Sequence, residues 1–274
     1  MKKRIHFNRC FATVLSLLFA VTGITAQVDD PNFTPHSGQE GKDVVWVPTP
    51  QALVDTMLSL AKVTAADYVI DLGSGDGRLV ITAAKRGATA LGIEYNPDMV
   101  ALARRTAMEE GVSARAKFEK ADIFETDFSK ATVITLFLLS DLNLKLRPQI
   151  LDMKPGTRIV SNTFNMGDWE PDQTMQSLDD TYWNTAHLWI VPAKVDGIWK
   201  IDGGQISFTQ EFQKITGTLT VGDKIHNKEI TGKLNGDKIS FKAGDVEYTG
   251  TVSGKTISGT RTGGGSWKAT RQDN

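Results

Sequence analysis

The stretch Asp71-Leu72-Gly73-Ser74-Gly75-Asp76-Gly77 constrains this chain more than any other. It follows the apolar run Tyr68-Val69-Ile70 and precedes Leu79-Val80-Ile81, so three alternating glycines stand between a buried strand and a helix. Glycine lets the backbone turn sharply and leaves no Cβ between main chain and ligand. The helix that follows presents free N–H groups at its start. A unit of this kind opens a parallel sheet, with a ligand outside the carboxyl ends of the strands where strand order reverses.

The flanking sequence repeats the alternation. Ala90 to Glu94 reads as a second strand, Ala116 to Ile123 as a third with its exit loop, Thr132 to Leu139 as a nearly all-apolar fourth and Thr157 to Asn162 as a fifth. Helices are expected from Leu79 to Arg86, from Asn96-Pro97 to about Glu110 and from Leu142 to Met153, with an earlier one over Leu53 to Ala61. Thr49 before Pro50 suits an N-cap with proline in the first turn. The fold class over residues 44–193 is therefore α/β, a Rossmann-like, doubly wound, mainly parallel sheet with helices on both faces.

Past Pro192 the texture changes. Residues 194–274 hold short β-prone runs punctuated by glycine, asparagine and aspartate, with a hairpin signal at Asn235-Gly236 and an echo in Ile215-Thr216-Gly217, Ile230-Thr231-Gly232 and Ile257-Ser258-Gly259. They predict a small all-β antiparallel meander or barrel, with Ile206 through Trp267 supplying an inner face at alternate positions and Val221 and Ile225 among them.

At the other end, Lys2, Lys3, Arg4 and Arg9 precede an uncharged apolar run from Phe11 to Ile24, and Thr25-Ala26 offers a cleavage point. Residues 1–26 read as a secretory signal peptide, the alternative being an uncleaved membrane anchor. Residues 27–43 read as an exposed, flexible leader. The expected location is outside the cytosol, in a bacterial periplasm, with membrane contact only through the signal or anchor. Cys10, the only cysteine, lies in this segment, so the mature chain has no disulfide, thiolate metal site or cysteine nucleophile. No histidine–carboxylate cluster has metal spacing, so no metal is expected. A formal net charge of -1 argues against a nucleic-acid partner.

The chemistry lies in the glycine turn. Dinucleotide sites usually carry GxGxxG, with amides cradling a pyrophosphate. Here Asp71 opens the turn and Asp76 sits inside it, and two carboxylates would repel a pyrophosphate but suit a sulfonium ligand with an ammonium group. S-adenosylmethionine (SAM) fits better than NAD. Glu94, ending the second strand, is placed to accept from ribose hydroxyls. Asp122 ends the third, where it can take the adenine amino group beside the apolar Ile123. Gly73, Ser74, Gly75, Gly77, Asn96 and Leu136 complete the expected cofactor contacts, and Val47 to Pro50, with Thr49, is expected to close over the cofactor.

Asp71 to Val80, Gly92 to Pro97 and Lys120 to Phe124 resemble the motifs of class I SAM-dependent methyltransferases. The Gly-Ser-Gly-Asp-Gly-Arg form followed by Glu-x-Asn-Pro resembles a narrower group, the small membrane-associated protein lysine methyltransferases of bacteria and mitochondria. The resemblance covers roughly residues 44–171 and implies methyl transfer from SAM to an acceptor amine, with a protein lysine first among them. It says nothing of the β-rich region. The segments after strands four and five, Leu139 to Asn143 and Asn162 to Trp169, are expected to form the acceptor pocket, with Asp141 or Asp168 orienting the amine and helix capping or a turn as their plain alternatives. Trp169, Trp183, Trp189 and Trp199 either line an acceptor groove or pack between domains, the second being the stronger expectation. Alternatives are an exported non-catalytic nucleoside- or SAM-binding module and a small-molecule or lipid methyltransferase. The expected partner is an acceptor substrate, a cell-envelope protein in the leading reading. The sequence does not indicate an oligomeric state.

Overall fold

The computed structural model describes residues 30, 32–178, 182–222 and 226–272. The signal segment with Cys10, Ile225 and most of residues 27–31 lie outside the described residues.

Helix α1 (Gln51–Leu60) leads into β1 (Tyr68–Leu72), α2 (Arg78–Lys85), β2 (Thr89–Glu94), α3 (Pro97–Glu109), β3 (Ala116–Lys120), β4 (Val133–Leu136), α4 (Ser140–Leu151) and β5 (Arg158–Asn162). Two further strands, β6 (Gln173–Gln176) and β7 (Thr185–Ile190), complete a seven-stranded sheet in the order β3-β2-β1-β4-β5-β7-β6. β1 pairs in parallel with both β2 and β4, placing Ile70 beside Leu91 and Ile134, so strand order reverses between β1 and β4. The antiparallel pairs β5–β7 and β6–β7 were not anticipated between residues 163 and 193.

One face of the sheet carries α1, α2 and α3 through Leu53, Met57, Val80 and Val100. The other carries α4 through Leu146 and Ile150, joined by the fully buried Trp169 and Trp189. Each such side chain contributes about 1.5–3 kcal/mol relative to exposure. Asn96 caps α3 as expected, its Oδ1 accepting from the N–H groups of Asp98 and Met99 with Pro97 at the first helical position. Thr49 does not cap α1. Pro50 occupies that position with no side-chain cap, and the Thr49 hydroxyl turns inward to accept from Asn162 Nδ2 at 3.3 Å. A buried amide needs a partner more than a solvated helix start does. The fourth strand ends at Leu136, three residues early, and Phe137 to Leu139 leave the sheet.

Residues 38–43 of the expected leader are not free. Gly38 donates to Trp46 O at 2.8 Å and Trp46 donates back to Gln39 O at 2.9 Å, forming a small clasp that folds onto the ends of the strands.

The remaining strands are β8 (Gly197–Ile201), β9 (Gly204–Glu211), β10 (Lys214–Val221), β11 (His226–Asn235), β12 (Lys238–Ala243), β13 (Val246–Ser253), β14 (Thr256–Arg261) and β15 (Ser266–Arg271), closed into a barrel by pairing of β15 with β8. Among the described residues the expected inner face is buried from Ile206 to Trp267 except at Val221, which is 45% exposed, and at the partly buried Val246. Phe241 stacks on Tyr248 with centroids 4.8 Å apart. Among the described residues no helix is long and apolar enough to cross a membrane, and no group of three or more histidine, cysteine, aspartate or glutamate side chains could hold a metal ion.

Candidate active site

A cavity of about 490 Å³ opens at the carboxyl ends of β1, β2, β4 and β5, at the switch point, and the clasp forms its outer wall. The glycine turn is pinned before any ligand arrives. Gly73 and Ser74 both donate to Ile93 O, at 2.9 and 3.0 Å, and Gly75 donates to Glu94 Oε2 at 2.9 Å. The other Glu94 oxygen accepts from Asn96 N–H at 2.8 Å. Each oxygen keeps acceptor capacity, so this held carboxylate still suits a pair of hydroxyls. Gly75 has φ +52°, and a Cβ there would lie 2.4 Å from Trp46 Nε1, so the clasp's indole sits against the turn.

Asp71 is buried at the floor and accepts from Thr135 Oγ1 at 2.6 Å. Burial pushes its carboxyl up to about 7, the Thr135 bond opposing that rise and the charges of Glu94 and Asp76 adding to it. Asp76 serves Arg78, whose guanidinium grips it at 2.6 Å and donates to Thr49 O at 2.7 Å. This fastens the Val47–Pro50 cover to the glycine turn. Asp122 accepts from Phe124 N–H at 2.9 Å and pairs with Lys42 at 3.0 Å, and that backbone bond, followed by Lys42, holds it below the usual carboxylate range.

Of the expected cofactor residues, Thr49, Asp71, Gly73, Ser74, Gly75, Asp76, Glu94, Asn96, Asp122 and Ile123 line this one cavity. Gly77 and Leu136 do not. Gly77 (φ +84°) precedes α2 where a Cβ would lie 2.7 Å from the Phe118 ring, so it packs helix against strand. Leu136 lies fully buried in the core beneath. Neither expected acceptor carboxylate reaches the cavity. Asp141 sits on the exposed side of the first turn of α4, while Leu139 and Leu142 line the wall. Asp168 is exposed and paired with Arg147, whose bond lowers its carboxyl from the ordinary value.

At the β4–β5 end the wall is aromatic instead. Phe137, Phe164 and Trp183 line the cavity and contact one another, with centroids 6.1, 5.5 and 5.6 Å apart for the three pairs. Trp183 is therefore a site residue, whereas Trp169 stacks on the barrel's Phe212 at 5.8 Å and Trp199 is buried in the barrel core. Lys42, Trp46, Tyr95 and Phe137 escaped the sequence reading. Only Phe137 carried a signal, as an aromatic at the end of a switch-point strand.

The donor set fits SAM. Asp71 at the floor with Glu94 and Asp122, the last two already held by backbone N–H groups, matches a ligand of hydroxyls, an exocyclic amine, an ammonium and a sulfonium. The buried Ser74 hydroxyl has no partner. When bound, SAM supplies an electrophilic methyl group. Asp71, the glycine turn and Glu94 would hold it, Asp122 and Ile123 would bound its base, and the clasp would exclude water.

Comparison with known proteins agrees. Residues 71–173 match the family model described as the ANTKMT methyltransferase domain. A protein-lysine N-methyltransferase of Saccharolobus islandicus is 39% identical over 58% of this chain and 97% of its own length. A human lysine N-methyltransferase named for ATP synthase is 32% identical over 50% of this chain, which spans 59% of that protein. Among solved structures, an RNA methyltransferase from Salinibacter ruber in complex with S-adenosyl-L-homocysteine is 47% identical, covering 54% of this chain and 96% of that one with a TM-score of 0.51. This chain belongs to the SAM-dependent methyltransferases.

Proposed function

We propose that the methyl acceptor is the side-chain amine of a protein lysine. The aromatic wall of Phe137, Phe164 and Trp183 carries this reading. It stands over β4 and β5, on the other side of the switch point from Glu94 and Asp122, where an acceptor approaches the methyl end of the cofactor. A lysine ammonium must lose a proton before it can attack. An apolar wall disfavours the charged form and lowers that pKa, so the proton leaves to solvent before the neutral amine takes the methyl group and the sulfonium becomes a thioether. The chain's further contribution is alignment of the amine behind the methyl group. The names of the archaeal and human relatives support a protein lysine. The name of the Salinibacter ruber structure supports RNA, against which stands a formal net charge of -1, where nucleic-acid binding usually goes with a basic chain.

The test is incubation with methyl-labelled SAM, offering envelope protein and total RNA from the source cells separately. Label recovered as methyl-lysine is the expected result, and label confined to nucleotides would replace this reading with the RNA one. With the lysine acceptor so identified, Phe137→Ala is expected to raise its KM by about tenfold, the usual scale for one stacked aromatic contact. The Kd for SAM should stay within a factor of about two, because the carboxylate end is untouched.

We further propose an envelope acceptor, on the signal-like sequence of Met1 to Ala26. Cell fractionation is expected to place a chain starting at Gln27 outside the cytosol. A cytosolic chain retaining Met1 would remove the envelope acceptor while leaving lysine methylation standing.

A further inference from the structure

Phe164 belongs to an irregular loop, residues 163–170, that has no strand ladder to hold it. Irregular backbone that leaves a sheet is held in place where side chains bond its carbonyls. Here Asn143 Nδ2 donates to Phe164 O at 3.3 Å and to Asn165 O at 3.2 Å. Arg147 donates to Met166 O at 2.7 Å, and Trp189 Nε1 to Trp169 O at 2.7 Å. The fifth anchor comes from the barrel, where Gln213 Nε2 donates to Glu170 O at 2.8 Å, and Lys214 pairs with the Glu170 carboxylate at 2.6 Å.

Between these two barrel contacts and the loop stands Phe212, in the turn joining β9 to β10. Its ring stacks on Trp169 at an interplanar angle of 15° and lies under the Arg147 guanidinium at 5.2 Å. Although it belongs to a barrel turn, Phe212 packs with the core of the methyltransferase sheet and not with that of the barrel. It does so at φ +51°, a conformation an aromatic residue rarely adopts and asparagine or glycine adopts readily. A ring kept at so unfavourable a backbone position has a contact to make.

We propose that Phe212 is a positioning residue for methyl transfer, by which the barrel holds the 163–170 loop and so sets the place of Phe164 in the acceptor wall. This rests on the reading of that wall as the acceptor end. It gives the barrel a role in the reaction although the family model ends at residue 173.

The test uses the full chain with Phe212→Asn, which keeps the left-handed backbone and removes the ring, beside Phe212→Tyr, which keeps the ring. For Phe212→Asn the acceptor kcat/KM is expected to fall between about tenfold and a hundredfold, as for other remote displacements of a reacting group. SAM affinity should be unchanged and Phe212→Tyr should recover most of the loss. Hydrogen exchange at residues 163–170 should quicken while that at residues 71–77 does not. If Phe212→Asn does not fold, Gln213→Ala, which removes only the bond to Glu170 O, should show the same pattern at smaller size. Unchanged exchange in the loop, or parallel loss of SAM affinity and acceptor activity, would overturn the proposal. Should wild-type protein methylate no lysine, the acceptor assignment fails, and the exchange measurement still decides whether Phe212 holds the loop.

Discussion

SAM affinity is expected to rise about tenfold per pH unit below pH 7 and to level off above it, because only the ionised Asp71 can face a cationic ligand. Burial has pushed that carboxyl up to about 7, with Glu94 and Asp76 adding their charges. Without ligand it carries a proton through most of the acidic range. Binding a sulfonium and an ammonium favours the anion, so close to one proton should be released per SAM bound at pH 6. Calorimetric titration in two buffers of different ionisation enthalpy counts that proton. Asp71→Asn should abolish both release and slope. At pH 8 it should weaken SAM binding by about 3–5 kcal/mol, the cost of leaving a charge without its buried partner, which is about two to three and a half powers of ten. The sign for stability is the reverse. A carboxyl raised in the folded chain contributes most below the ordinary aspartate value of 3.8 and loses that contribution as pH climbs to about 7. Cofactor-free Asp71→Asn should therefore be more stable than wild type at pH 8 while binding worse, the exchange expected where a site stores an unfavourable charge. A wild-type affinity flat across this range, or an Asp71→Asn variant binding within about threefold of wild type, would contradict the role given to Asp71.

The cofactor half of this site was legible in the sequence because its residues are local. A strand, a glycine turn and a strand-end carboxylate are each written in a few consecutive letters, and the parallel topology brings those letters together without further information. Glu94 lies 19 residues from Gly75, yet one βαβ unit makes their hydrogen bond obligatory. The half proposed for the acceptor is assembled from Phe137, Phe164 and Trp183, on three stretches of irregular backbone with no period to read. Aspartate at a strand end suggested an acceptor carboxylate, but α4 begins at Ser140 and turns Asp141 outward, and Arg147 had claimed Asp168. The clasp was missed for a related reason. Residues 38–43 have the polar composition of a tail, and what holds the clasp includes long-range contacts such as Trp46 on Gly75, Lys42 on Asp122 and Lys42 against the Tyr95 ring at 5.4 Å. The barrel was legible as alternation and turns. Its closure depends on strand curvature, which alternation does not encode.

That curvature makes Gly259→Val the most destabilising substitution expected in the barrel. Gly259 pairs with Gly250 on one side and Trp267 on the other. A Cβ at Gly259 would stand 1.8 Å from Thr249 O and 2.5 Å from Gly250 Cα, so a side chain there must force two strands apart. Trp267 occupies the space the glycines leave. Its Nε1 donates to Thr249 O at 3.0 Å and to Thr260 O at 3.2 Å, and its ring lies 3.0 Å from where a Gly250 Cβ would be. Steric conflict with backbone on a paired strand belongs among the rare effects above about 4 kcal/mol, a large share of the roughly 5–15 kcal/mol a domain has. Calorimetry of Gly259→Val should then show two transitions in place of one. The lower, the barrel, should ignore SAM, and the upper, the parallel sheet, should climb with SAM concentration as ligand linkage requires. Acceptor activity should fall at temperatures between the two transitions by at least the roughly tenfold expected for Phe212→Asn while SAM binding persists, because Phe212 leaves with the barrel and the glycine turn does not depend on it. A single transition that SAM moves as a whole would mean the barrel and the sheet unfold as one unit, and that the Trp169–Phe212 stack is strong enough to make them so.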